Sequence, residues 1–137
     1  MPFTYHIEAN GQIVHIIGTE QGSLESARDT FADLIADPHL HHPFGLLIDV
    51  RALRNIPSRE EAYSLSKFAQ VGHNDAKHYT ALLVEHGIQY GIARMIQVFS
   101  QLRGAQINVF IDDQSAQFWL WNQLQLRTET SSTVAKE

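Results

Sequence analysis

The hydrophobic positions of this chain switch repeatedly between short unbroken apolar runs and runs spaced by three and four, the pattern expected of strands interleaved with helices. The densest run is Phe44-Gly-Leu-Leu-Ile-Asp-Val50. Only Gly45 and Asp49 interrupt it, and so short a run without polar alternation predicts a central strand covered on both faces. A short loop follows, and the chain restarts at Ser58 with Glu61 three residues on. That pair is a capping box, in which hydroxyl and carboxylate each accept an orphan N–H at a helix start.

Ahead of this stretch, Phe3 to Ala9 and Gln12 to Thr19 flank Asn10-Gly11, the dipeptide that most readily supplies two positive-φ residues to a tight hairpin turn. Leu24, Ala27, Phe31, Leu34 and Ile35 then line one face of a helix starting near Ser23, with Glu25, Arg28, Asp29 and Asp33 on the other. Asp37-Pro38 ends it, because the residue before proline is pushed out of helical geometry. His39-Leu-His-His-Pro43 is read as loop. Beyond the capping box, Ala62, Leu65, Phe68 and Ala69 mark the buried side of a second helix that stops at Gly72-His-Asn. Tyr79 to Val84 predicts a buried strand, broken by Gly87. Ile92, Met95, Ile96, Phe99 and Leu102 recur at helical spacing up to Gly104, a helix-ending glycine. Ile107 to Ile111 is a last short strand, and Asp112 or Asp113 caps a final helix carrying Ala116, Trp119 and Leu120. From Asn122 the apolar period fades, so residues 1–121 are expected to form a single domain and 122–137 a flexible tail.

The order is β-β-α-β-α-β-α-β-α. It predicts an α/β fold with four helices and a mixed five-stranded sheet, an N-terminal antiparallel hairpin followed by parallel strands joined through right-handed crossovers. In such sheets the loops beyond the carboxyl ends of the parallel strands collect function, here residues 49–58, 85–91 and 112–115.

Composition narrows the classes. The 137 residues suffice for one core without staples, and there are no cysteines to form disulfides or thiolate metal sites. A net charge of −5 with no basic stripe argues against nucleic acid. No apolar window reaches the roughly 18 residues of a membrane span, and the polar N-terminus lacks a signal-peptide pattern, so a cytoplasmic protein without stable membrane insertion is expected.

Candidate chemistry is sparse. Ser58 stands at a helix N-terminus after a strand, where a phosphate would be favoured, yet the capping box alone accounts for it and for Glu61. Tyr90, Gly91 and Arg94 open the third helix and form a candidate anion or ligand site, although their spacing is no phosphate-loop fingerprint and Gly91 reads first as a close-packing position. Of eight histidines, His39, His41 and His42 cluster without an acidic or cysteine partner at zinc spacing, so no metal is expected. His6 and His15 are expected to be neighbours across the hairpin. Asp49 and Asp112 end two strands on one rim, where such acids more often cap helices or pair with Arg51, Arg54 or Arg94 than work as an acid-base pair. No nucleophile elbow is present. Phe118 to Trp121 are contiguous and cannot share one helix face, which leaves aromatic surface outward and suggests a homodimer.

Several of these strings together resemble the SpoIIAA-like branch of the STAS superfamily: Leu47-Ile-Asp-Val-Arg-Ala-Leu53, Pro57-Ser58, Tyr90-Gly-Ile-Ala-Arg-Met95, Val109-Phe-Ile-Asp112, and Ala116 to Leu120. The likeness covers residues 3–121. It implies a mixed sheet with helices mainly to one side, no cofactor and no enzymatic activity. In anti-sigma-factor antagonists of that superfamily the loop after the central strand carries a phosphorylated serine, and Ser58 is the hydroxyl that occupies its place here. Pro57, Arg59 and Glu60 depart from the motif around it. The resemblance therefore implies a regulatory domain that docks a protein partner through Ser58, Arg51, Arg54, Arg59 and Asp49. Related folds hold lipids or other apolar ligands, which sets the alternative: a small-ligand domain with a pocket between sheet and helices, gated by the 85–91 turn. A cavity lined by Phe68, Met95 and Phe99 would favour it. An enzyme would need Asp49, Ser58 and Arg94 to converge on one point.

Overall fold

The computed structural model describes residues 3–54, 56–66 and 78–136. Five strands, β1 (Phe3–Ile7), β2 (Ile13–Gly18), β3 (Phe44–Asp49), β4 (His78–Leu83) and β5 (Gln106–Phe110), lie side by side in chain order. β1 pairs antiparallel with β2, and every later pair is parallel. Four helices complete the fold: α1 (Leu24–Ile35), α2 (Arg59–Ser66), α3 (Ile88–Gln101) and α4 (Asp113–Lys136). The α/β class and the mixed sheet are those the hydrophobic pattern predicts.

Chain direction explains how the helices are layered. The parallel strands are added one after another in a single direction, so right-handed crossovers deliver α1, α2 and α3 to the same face. α4, the last element among the described residues, covers the other face. Alternation along each strand divides the core accordingly. Phe44 and Leu46 join Val14, Ile16, Phe31 and Leu34 under α1, while Leu47 joins Ile13, Tyr79 and Ala81 under Ala116, Leu120 and Leu124 of α4. β3 thus lies mid-sheet, with Leu46 and Leu47 buried on opposite faces.

Caps set the helix starts. Ser58 Oγ accepts from Glu61 N at 3.1 Å and Glu61 Oε1 accepts from Ser58 N at 3.0 Å, completing the expected box. Asp112 Oδ2 accepts from Ser115 N and Ser115 Oγ at the head of α4. Gly104, at φ 88°, follows α3 as a glycine stop.

Three details differ from expectation. The hairpin is not a two-residue turn: Glu8 N donates to Ile13 O, leaving a four-residue loop in which only Gly11 has positive φ. Asn10 works through its side chain instead, accepting from Gln12 N and Ile13 N. Leu102 is exposed, because it falls at the C-cap of α3, where the chain turns off the sheet. α4 does not stop near Trp121 but continues to Lys136, and Leu124 is buried with the core. Three helices share a face and the fourth opposes them, so the helices lie mainly to one side. Phe68, Ala69, the Gly72 stop and the side chains of Leu24 and Leu65 lie outside the described residues.

Candidate functional site

A sheet whose parallel strands are added in one direction has no reversal of strand order, and therefore no rim crevice of the kind that usually receives ligands in α/β folds. Space opens instead between the layers. A cavity of about 460 Å³ lies between the sheet and α1 to α3. Its floor is the helix-facing side of the strands, Leu46 and Ile48 of β3, His78, Thr80 and Leu82 of β4, and Ile107 of β5. Ala27, Thr30 and Phe31 of α1 and Ile96 and Ser100 of α3 form the roof. Since His78, Thr80 and Leu82 succeed one another on one strand face, the cavity runs for about 13 Å along the strands.

Exposed Ser23, Ile56 and Glu61 and half-buried Pro57 mark the rim, beyond the carboxyl ends of β2 and β3. The opposite end is the more polar, with buried His78, Thr80 and Ser100. The His78 ring stacks on Phe44, with centroids 5.1 Å apart and planes 6° apart. Among the described lining residues no lysine or arginine occurs, and Glu61 is the one carboxylate.

The expected gate is elsewhere. No residue of the 85–91 turn lines the cavity, and Gln89 ties that turn to the segment after β3 by donating Nε2–H to Val50 O at 2.9 Å. Nor do Met95 and Phe99 line it; Ile96 is the α3 contribution in that turn, and Phe68 lies outside the described residues. Sequence reasoning missed Thr80, His78 and Ser100. The available signal was a polar residue at each alternate position opening an otherwise apolar, fully buried strand.

The loop after β3 brings two of its candidates together, Asp49 and Arg51. Arg51 donates Nε–H and Nη2–H to the two carboxylate oxygens of Asp49 at 3.0 and 2.9 Å, and its backbone N–H adds a third bond at 3.1 Å. Partial burial pushes the Asp49 carboxyl upward, but the hydrogen bonds and charge of Arg51 outweigh it and hold the group below the usual carboxylate range. Arg54 pairs with Glu20 on the surface, and Arg59 is exposed. Ser58 is exposed and engaged in its cap.

Near α3, Tyr90 lines a second, shallower hollow of about 410 Å³ with His86, Phe110, Asp112 and Ser115. Gly91 and Arg94 do not line it. Arg94 donates to Gln97 Oε1 at 2.7 Å, and a Cβ at Gly91 would meet nothing within 4 Å, so close packing does not explain that glycine. Asp112, not a cation, faces this hollow, and its carboxyl is held low by bonds from Ser115, which makes the place unfavourable for an anion. Asp49, Ser58 and Arg94 each find a partner within three residues in sequence, and no hydrogen bond joins any two of them.

The histidine loop is likewise accounted for locally. His39 pairs with Asp37, His41 N donates to Gly11 O, and the His42 ring meets Phe44 edge-on. His6 and His15 face each other across the hairpin as expected. Among the described residues no cluster could hold a metal ion, and no helix is long and apolar enough to cross a membrane. Compared with known proteins, the chain matches no family model, and neither a curated protein nor a solved structure matches it significantly.

Proposed function

We propose that this protein is a non-enzymatic, SpoIIAA-like binding domain of the STAS type that holds a small apolar ligand between its sheet and its first three helices. The observation that carries the reading is the 460 Å³ cavity walled by Phe31, Leu46, Ile48, Leu82, Ile96 and Ile107. Its volume falls within the roughly 300–1,000 Å³ of small-molecule sites, and an apolar wall with few polar groups is their usual make-up. Thermal unfolding tests it. Straight-chain and planar apolar compounds are expected to raise the Tm of the full chain in a saturable way, and Ala27→Trp, which fills the roof, is expected to abolish that rise. No shift with any such compound would overturn the reading.

A second reading rests on a different surface. Arg51, Arg54, Ser58, Arg59 and Tyr63 are all exposed beside the cavity rim, with Ile56 49% exposed among them. A partly apolar patch in which Arg51, Arg54 and Arg59 alternate with Asp49, Glu20, Glu60 and Glu61 suits docking of a protein partner of mixed charge. Cross-linking from position 59 in cells, lost on Arg54→Glu and Arg59→Glu, would support it; unchanged cross-links would count against it. Phe118 and Trp121, 68% and 53% exposed on α4, are the surface for a homodimer, tested by sedimentation of wild type against Trp121→Glu.

A further inference from the structure

Thr80 is 5% exposed and lines the cavity, and among the described residues its hydroxyl has no hydrogen-bond partner. Its neighbours in the lining differ. Thr30 Oγ1 donates to Ser26 O at 2.9 Å, Ser23 Oγ accepts from Ser26 N, and Ser100 Oγ reaches Ser66 O at 3.5 Å. A helical threonine can satisfy itself on the carbonyl four residues back, but β4 is paired on both sides, to β3 and to β5, so its backbone groups are already used by the sheet. A buried hydroxyl left unmade is costly, and valine would fill the same space in a strand without that cost.

We infer that the ligand of this cavity is amphipathic, with an apolar body lying along the strands and one uncharged hydroxyl or carbonyl group seated on Thr80 Oγ1. This rests on the apolar-ligand reading and adds to it the head group and its position. Thr80 stands toward the end of the cavity carrying His78 and Ser100, away from the rim at Ile56 and Glu61. A threonine hydroxyl donates and accepts, so it serves an alcohol or a ketone equally. A carboxylate would enter past Glu61 and lose its hydration with no lysine or arginine in the described lining to replace it.

Competition calorimetry at neutral pH with 1-decanol, decane and decanoate tests this on wild type, Thr80→Val and Thr80→Ser. Wild type is expected to bind 1-decanol more tightly than decane or decanoate. Thr80→Val should weaken 1-decanol about five-fold and leave decane unchanged, while Thr80→Ser keeps the preference. Should the valine variant not fold, Thr80→Ala removes the same hydroxyl. An unchanged affinity of Thr80→Val for 1-decanol overturns the inference, as does tightest binding of decanoate, which would make His78 a counter-charge. If decane binds and the preference is absent, the head-group inference alone fails; if neither decane nor 1-decanol binds wild type, the cavity reading fails with it.

Discussion

Arg51 folds back on Asp49 so that its Nε and Nη2 each meet one carboxylate oxygen, at 3.0 and 2.9 Å. The pair pins the first turn of the loop that leaves β3, with Arg51 41% and Asp49 22% exposed. Water screens so exposed a guanidinium, so Arg51→Met is expected to cost only about 0.5 kcal/mol at pH 7 despite the two-pronged geometry. The folded Asp49 carboxyl lies below its unfolded value, so this contribution is fully present above the unfolded pKa of about 3.9 and is lost as pH falls through the lower folded value. Urea unfolding of wild type and variant should therefore give curves that differ at pH 7 and draw together below about pH 4.

Ser58 and Glu61 satisfy each other's backbone N–H groups at the start of α2. Ser58→Ala should lower stability by about 1 kcal/mol. Ser58→Asp should restore most of that, because aspartate caps as well as serine does. A double-mutant cycle with Glu61→Ala should show coupling, since each change alone undoes one half of the same box. Chemical denaturation reads all four proteins. Additive losses would mean that the two side chains act independently.

The parts legible in the sequence are those set by short-range chemistry. The box at Ser58 and Glu61, the cap at Asp112, the stop at Gly104 and the two-sided apolar run at Leu46 and Leu47 each follow from a few adjacent residues. What was not legible depends on distant parts of the chain. Asn10-Gly11 suggests a two-residue turn, but the pairing of Glu8 with Ile13 fixes a longer loop. The cavity is built from α1, α3 and strands β3 to β5, and no local spacing announces space between layers. Thr80 is visible as a polar residue in an apolar strand, yet which face it takes follows only from the register with Leu46 and Ile107.

Leu124 is 7% exposed and packs with Leu47, Tyr79 and Leu120, three residues beyond Trp121, where the expected domain ends. Leu124→Ala is expected to cost about 2–4 kcal/mol, within the range of buried leucine truncations. Ending the chain after Trp121 should cost at least as much, whereas ending it after Gln125 should cost clearly less. Thermal and urea unfolding of the three proteins checks the order. Equal stability of wild type and the chain ending at Trp121 would place the domain boundary where the sequence pattern first suggests it.

Gly45 and Gly91 should respond in opposite directions to the same substitution. Gly45 lies in mid-sheet under α4, where an added Cβ would come 3.0 Å from Leu120 Cδ2 and 3.4 Å from Leu124 Cδ1. Both leucines are buried, so room must be found within a packed cluster. The gain in strand propensity from alanine is about 0.5–1 kcal/mol, and overpacking typically costs about 1–3 kcal/mol, so Gly45→Ala should be net destabilising by about 1 kcal/mol. Shortening Leu120 removes the obstruction, and Gly45→Ala combined with Leu120→Ala should lose less than the sum of the two. Gly91 lies within the first turns of α3, without positive φ and with nothing within 4 Å of an added Cβ. There alanine meets no neighbour and restricts only the unfolded chain, so Gly91→Ala should stabilise by about 0.5 kcal/mol. Urea midpoints measured side by side decide both signs, and a loss at Gly91 would reveal a contact on that face of α3 made by something other than the described chain.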